Sequence, residues 1–128
     1  EREAEIERQL AEKNSLLSQR SVFYNFDSSL IQPEYRPIVQ AHGDFLSRNP
    51  QVRIRIEGNC DDRGSREYNL ALGQSRAEQL KQALILEGAS PDQIDVMSYG
   101  AERPSFFGIN EESRAKNRRS DLVYIDES

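Results

Sequence analysis

The sequence is short of metal-binding and redox residues, of basic charge, and of long apolar runs. Its single cysteine, Cys60, has no partner for an internal disulfide and leaves the redox compartment undecided. With one histidine and one cysteine in the whole chain, the closely spaced ligands of a zinc site are missing. No stretch of apolar residues approaches the length needed to cross a bilayer. A net charge of −5 argues against nucleic acid as a ligand, because phosphate neutralisation favours a basic surface.

What is present fits one compact domain. A length of 128 residues supports a single core and is too short for two ordinary domains. Hydrophobic residues at 36% and charged residues at 30% are the balance of a globular chain, neither a membrane protein nor a disordered one. The chain opens inside a charged run, with no signal peptide, and so reads as a piece of a longer protein.

Residues 1–20 are rich in Glu, Arg, Gln and Ala, with only a thin apolar stripe of Ile6, Leu10 and Leu17 around Lys13. They are expected to form a charged helical linker or tail, a packed or partner-binding helix being the alternative. The domain proper is expected over residues 21–128. Val22, Tyr24 and Phe26 alternate with Phe23 and Asn25, predicting a first strand. Pro33 suits the first turn of a helix in which Tyr35, Ile38, Val39, His42, Phe45 and Leu46 recur at three- and four-residue steps, ending at Asn49–Pro50. Val52, Ile54 and Ile56 alternate with Arg53, Arg55 and Glu57 in the clearest strand of the chain. A polar loop, Gly58 to Ser65, leads to a second helix carrying Leu70, Ala77, Leu80 and Leu84 and closed by Gly88 and Pro91. Ile94 to Gly100 forms a third strand. A loop with Pro104 and Gly108, a short polar helix at Glu111–Lys116 and a strand at Leu122–Ile125 complete the chain. The order β-α-β-α-β, then β, predicts an α/β (α+β) two-layer sandwich: a mixed four-stranded sheet, helices on one face, and a last strand antiparallel to its neighbour.

Ligands of open α/β sheets sit on the loops beyond the strand ends, which selects the loop with Asn59, Asp61, Asp62 and Arg63. On the following helix, Asn69 and Arg76 are seven residues apart and share a face. Asp61 and Arg76 together would form a zwitterion clamp, the carboxylate receiving an ammonium and the guanidinium gripping a carboxylate. From pattern alone, Asp61 reads more readily as a turn or capping residue and Arg76 as an exposed helix charge. His42, on the apolar face of its helix, reads as a packed histidine rather than a catalytic base.

The run EGNCDDRGSREYNLALGQSRAEQL, from Glu57 to Leu80, resembles the signature segment of OmpA-like domains. SVFYNFDSS (Ser21–Ser29), SYGAERP (Ser98–Pro104) and AKNRRSDLVY (Ala115–Tyr124) are similar to flanking segments of the same family, in the same order, over roughly residues 21–126. The wording DDRGSREYNLALG is most similar to the branch of peptidoglycan-associated lipoproteins. The resemblance implies non-catalytic binding of the peptidoglycan stem peptide at the free end of meso-diaminopimelate. It puts Asp61 on the ammonium, Arg76 on the carboxylate and Asn69 on the peptide, with Asp27 shaping the pocket and Arg118 closing it. A capping role for Asp27 and a structural salt bridge for Arg118 are the alternatives. No cofactor is implied. The implied partners are peptidoglycan, the periplasmic propeller protein of the Tol system, and the outer membrane through a lipid anchor outside this chain. The implied location is the periplasmic face of that membrane. Two positions depart from the family: Cys60 stands where a threonine is usual, and Asn25 where many relatives have aspartate. A thiol is a weaker hydrogen-bonding group than a hydroxyl, so Cys60 would lower affinity if it met the ligand and be silent if it packs. Rival functions are the wall-binding domain of an OmpA-type porin, a pure protein scaffold, and a hydrolase using Asp27, Asp61 or Asp62 as paired carboxylates. Replacing Asp61 or Arg76 by Ala is expected to remove binding while leaving the fold intact.

Overall fold

A computed structural model describes residues 2–125. The elements are α1 (Arg2–Ser18), β1 (Ser21–Phe23), α2 (Arg36–Arg48), β2 (Arg53–Asn59), α3 (Arg66–Leu86), β3 (Ile94–Gly100), α4 (Glu111–Asn117) and β4 (Arg119–Ile125). The four strands form one mixed sheet in the order β1-β4-β2-β3. Strands β2 and β3 are parallel, joined by α3, while β4 runs antiparallel to both β1 and β2. This is the mixed two-layer arrangement expected from the strand and helix order. The side chains of Ile6 and Leu10, and residues 126–128, lie outside the described ones.

Alternation on the strands fixes which face is covered. Val22, Ile54, Ile56, Ile94 and Leu122 are buried against Val39 and Leu46 of α2 and Ala77, Leu80 and Leu84 of α3. On the opposite face, Arg53 pairs with Asp95 and Arg55 with Glu57, as period-two alternation requires. Pro33 opens a single 3-10 turn, Pro33–Tyr35, that leads into α2. The single histidine, His42, is fully buried in α2. Its Nε2 lies 2.8 Å from the Gln19 carbonyl and its Nδ1 lies 2.6 Å from the Tyr124 hydroxyl. A carbonyl only accepts, so Nε2 carries the proton and Nδ1 accepts from Tyr124. Burial holds the imidazole below its ordinary pKa, so it is packed and neutral.

The first strand is shorter than its alternation suggests. It pairs with β4 only from Ser21 to Phe23, and Tyr24 remains buried beyond it. Phe26 is 58% exposed rather than joining Val22 and Tyr24 in the core, because the chain leaves the sheet at Asn25 and turns at Asp27 with φ +56. Asparagine and aspartate tolerate this left-handed geometry better than other residues with a Cβ.

Helix α3 meets the sheet at a pair of glycines. A Cβ on Gly58 would lie 1.9 Å from the Gly73 carbonyl oxygen, and one on Gly73 would lie 2.2 Å from Ser98 Oγ. The backbones of β2 and α3 therefore touch, and this contact sets how close Asn69 and Arg76 come to the strand ends.

Candidate functional site

Beyond the end of β2, a small cleft of about 70 Å³ opens between the loop after β1, the loop 60–65 and the first half of α3. Its lining includes Phe26, Asp27, Asp61, Arg63, Tyr68, Asn69 and Arg76. Four of the five site residues expected from sequence thus share one cavity. Arg118 does not line it.

Arg76 is fully buried, so it is not the exposed helix charge that its neighbourhood allowed. Its Nε donates to the Ser28 carbonyl at 2.8 Å, Nη1 to Asn59 at 2.9 Å and Nη2 to Asn25 at 3.2 Å. The guanidinium also lies over the Tyr24 ring, 5.1 Å from its centroid. One side chain thereby ties the loop after β1 to the end of β2. Burial draws its pKa below the ordinary value, yet an arginine stays charged at neutral pH. A guanidinium has five N–H donors, so three carbonyl bonds leave capacity for a carboxylate at the cleft floor.

Asp61 is 5% exposed and already carries two arginines. Its Oδ2 accepts from Arg63 at 2.7 Å and from Arg118 at 3.3 Å, and its Oδ1 accepts from the Arg63 backbone N–H at 3.0 Å. Burial alone would raise the carboxyl pKa, but these hydrogen bonds outweigh it and hold the group low and ionised. Arg118 is buried behind this pair, bonded to the Tyr24 carbonyl at 2.9 Å and to Glu111 at 2.8 Å. That is the salt-bridge alternative for Arg118: it contacts Asp61 and not the cavity. Of the two residues of the clamp expected from sequence, Asp61 is already paired within the protein, while Arg76 keeps unused N–H groups.

Asp27 accepts a hydrogen bond from the Tyr68 hydroxyl across the cleft instead of capping a helix. The Cys60 thiol donates to the Asn69 carbonyl at 3.2 Å and is buried, so it bridges loop and helix much as a hydroxyl would. Asn69 is buried against Gly64 of the loop. Asp62 is bound by Arg114 of α4 at 2.8 Å, outside this cleft.

Sequence reasoning missed Phe26, Tyr68 and Leu72 as cleft residues, and named Arg63 only as part of the candidate loop. Tyr68 was findable, since it precedes Asn69 by one position and both follow the N-cap Ser65, whose Oγ accepts from the Tyr68 N–H at 3.1 Å. Asn117 was also overlooked. Its side chain accepts from Ser105 and Phe106 N–H and donates to the Phe106 carbonyl, holding the loop between β3 and α4.

The profile of the OmpA family matches residues 23–118. A peptidoglycan-associated lipoprotein of Pasteurella multocida is 43% identical over 104 residues, which is 81% of this chain and 69% of the relative. One from Legionella pneumophila is 44% identical over 101 residues, 79% of this chain and 57% of the relative. The chain therefore spans only part of those relatives. Among solved structures, the peptidoglycan-associated lipoprotein from Burkholderia pseudomallei is similar with a TM-score of 0.86 and 47% identity, covering 91% of this chain and 98% of the other. With the profile matched over most of its length and such relatives above 40% identity, the chain belongs to the OmpA family.

Proposed function

We propose that this domain binds peptidoglycan without catalysis, holding the zwitterionic end of meso-diaminopimelate in the stem peptide between Asp61 and Arg76. The observation that carries the proposal is that both side chains line a single cleft. A carboxylate of fixed charge and a guanidinium of fixed orientation there oppose the ammonium and carboxylate that share one carbon of that amino acid. Asn69 and Asp27, also in the lining, would contact the peptide and set the mouth of the cleft, while Arg118 holds Asp61 in place. The names of the relatives from Pasteurella, Legionella and Burkholderia, all peptidoglycan-associated lipoproteins, support peptidoglycan as the class of ligand.

Binding is favoured over hydrolysis by the state of the carboxylates. A glycosidase needs one acid kept protonated by its surroundings. Asp61 is instead held ionised by two arginines, and Asp62 is paired with Arg114. In the cell the domain would tie the outer membrane to its wall from the periplasmic side, through a lipid anchor outside this chain, and would meet the propeller protein of the Tol system.

The test is a titration on purified sacculi, with meso-diaminopimelate and Nα-acetyl-lysine amide, which keeps only the side-chain ammonium, as rival competitors. Asp61→Ala should weaken binding roughly ten- to a hundred-fold, since a charge-assisted hydrogen bond is worth about 1.5–3 kcal/mol. Diaminopimelate should compete and the blocked lysine should not. Wild-type affinity in Asp61→Ala, or release of soluble muropeptides by the wild type, refutes the proposal.

A further inference from the structure

The seat for the ligand's ammonium is occupied in this structure by the protein's own cation. Arg63 Nη2 lies 2.7 Å from Asp61 Oδ2, the shorter of the two arginine contacts on that oxygen. The two arginines are not equivalent. The Arg118 side chain is 8% exposed and anchored at three points, on Asp61, Glu111 and the Tyr24 carbonyl. The Arg63 side chain is 36% exposed, lines the cleft, and rests on the face of Phe26, 4.0 Å from the ring centroid. Its Nε is buried yet finds no hydrogen-bond partner among the described residues. That position of Arg63 leaves a donor unmet, so it is the contact most readily surrendered. A second carboxylate stands ready to receive it, because Glu111 Oε1 already lies 3.6 Å from Arg63 Nη2.

We propose that Arg63 is a specificity-determining residue, an internal stand-in for the ligand's ammonium that any incoming cation must displace. The inference rests on the proposed function and deepens it. A lone ammonium exchanges one cation on Asp61 for another and gains little. A zwitterion makes the same exchange and also places its carboxylate on Arg76, so it alone has a surplus with which to move Arg63. Arg63 thus screens out simple amines, including the side-chain ammonium of a lysine-type stem peptide, before Arg76 is engaged.

The measurement is a calorimetric titration of wild type, Arg63→Gln, Arg63→Lys and Asp61→Asn with two soluble tripeptide stems, one ending in meso-diaminopimelate and the other in lysine. In Arg63→Gln the lysine stem should bind roughly three- to ten-fold more tightly, the range expected when an exposed competing ion pair is removed. The diaminopimelate stem should improve less, so the ratio of the two affinities narrows. Arg63→Lys retains a cation and should keep a ratio near that of wild type. Weaker binding of the diaminopimelate stem to Arg63→Gln would mean that Arg63 contacts the ligand, and an unchanged ratio would mean that it screens nothing. Either result overturns the inference. Asp61→Asn separates the two levels: if it binds the diaminopimelate stem like wild type, the proposed function itself is wrong.

Discussion

At the scale of single residues, Arg76 shows how one side chain serves both fold and site. Its three donors satisfy carbonyls of Asn25, Ser28 and Asn59, segments more than thirty positions apart in the chain. Arg76→Ala, expected from sequence to leave the fold intact, should therefore also cost stability. Truncation strands those carbonyls, and an unsatisfied buried polar group costs about 1–3 kcal/mol. Allowing for water entering the gap, Arg76→Ala should lose about 2–4 kcal/mol of stability in urea unfolding, and a loss below about 1 kcal/mol would show that the carbonyls find other partners. Its binding defect consequently mixes two causes, which is why the near-isosteric Asp61→Asn is the cleaner probe of the ligand contact. The spacing of Asn69 and Arg76 was legible because two helical turns bring them to one face. The partners of Arg76 were not legible, since two of them are backbone groups in a loop with no periodic signal.

At the scale of elements, strand β2 followed from the alternation in Val52–Glu57 and helix α2 from the three-to-four spacing in Tyr35–Leu46. Strand β1 did not, because Tyr24 and Phe26 continue an alternating pattern past the point where pairing with β4 ends. Burial of Tyr24 comes instead from α3 and β4, its hydroxyl lying 3.1 Å from the Arg76 carbonyl and from Ser120 Oγ. The position of α3 depends on the glycine pair. Gly58→Ala would place a methyl 1.9 Å from the Gly73 carbonyl, against backbone that cannot swing aside. Overpacking of a tight core costs typically about 1–3 kcal/mol, and a backbone clash belongs at or above the top of that range. The expected result is a loss of about 3 kcal/mol or more in thermal unfolding, together with weakened sacculus binding as Asn69 and Arg76 move with the helix. Gly58→Ala with wild-type stability would mean that β2 and α3 separate without penalty.

At the scale of the whole molecule, pH acts on stability through the single histidine. The folded pKa of His42 is lowered by burial from about 6.5 in the unfolded chain. Its contribution is therefore intact above pH 6.5 and is lost as pH falls from there through the folded value, where the unfolded chain takes up the proton first. Stability should decline between about pH 7 and 5.5 by at most about 1.4 kcal/mol per unit. His42→Gln, which can still bond Gln19 and Tyr124, should flatten that decline in melts at the two pH values. An equal slope in the variant would assign the effect to the carboxylates.

The strand order carries one more consequence. Strand β4 lies between β1 and β2 and supplies the hydrogen-bonded neighbour of β1, with Ser21 paired to Asp121 a hundred positions later. Contacts that distant in sequence close late in folding. Until residues 119–125 are inserted, the loop bearing Asp27 has no sheet to hang from, and Arg76 lacks two of the three carbonyls that aim it, those of Asn25 and Ser28. On the proposed reading, a chain clipped before β4 is blind to its ligand.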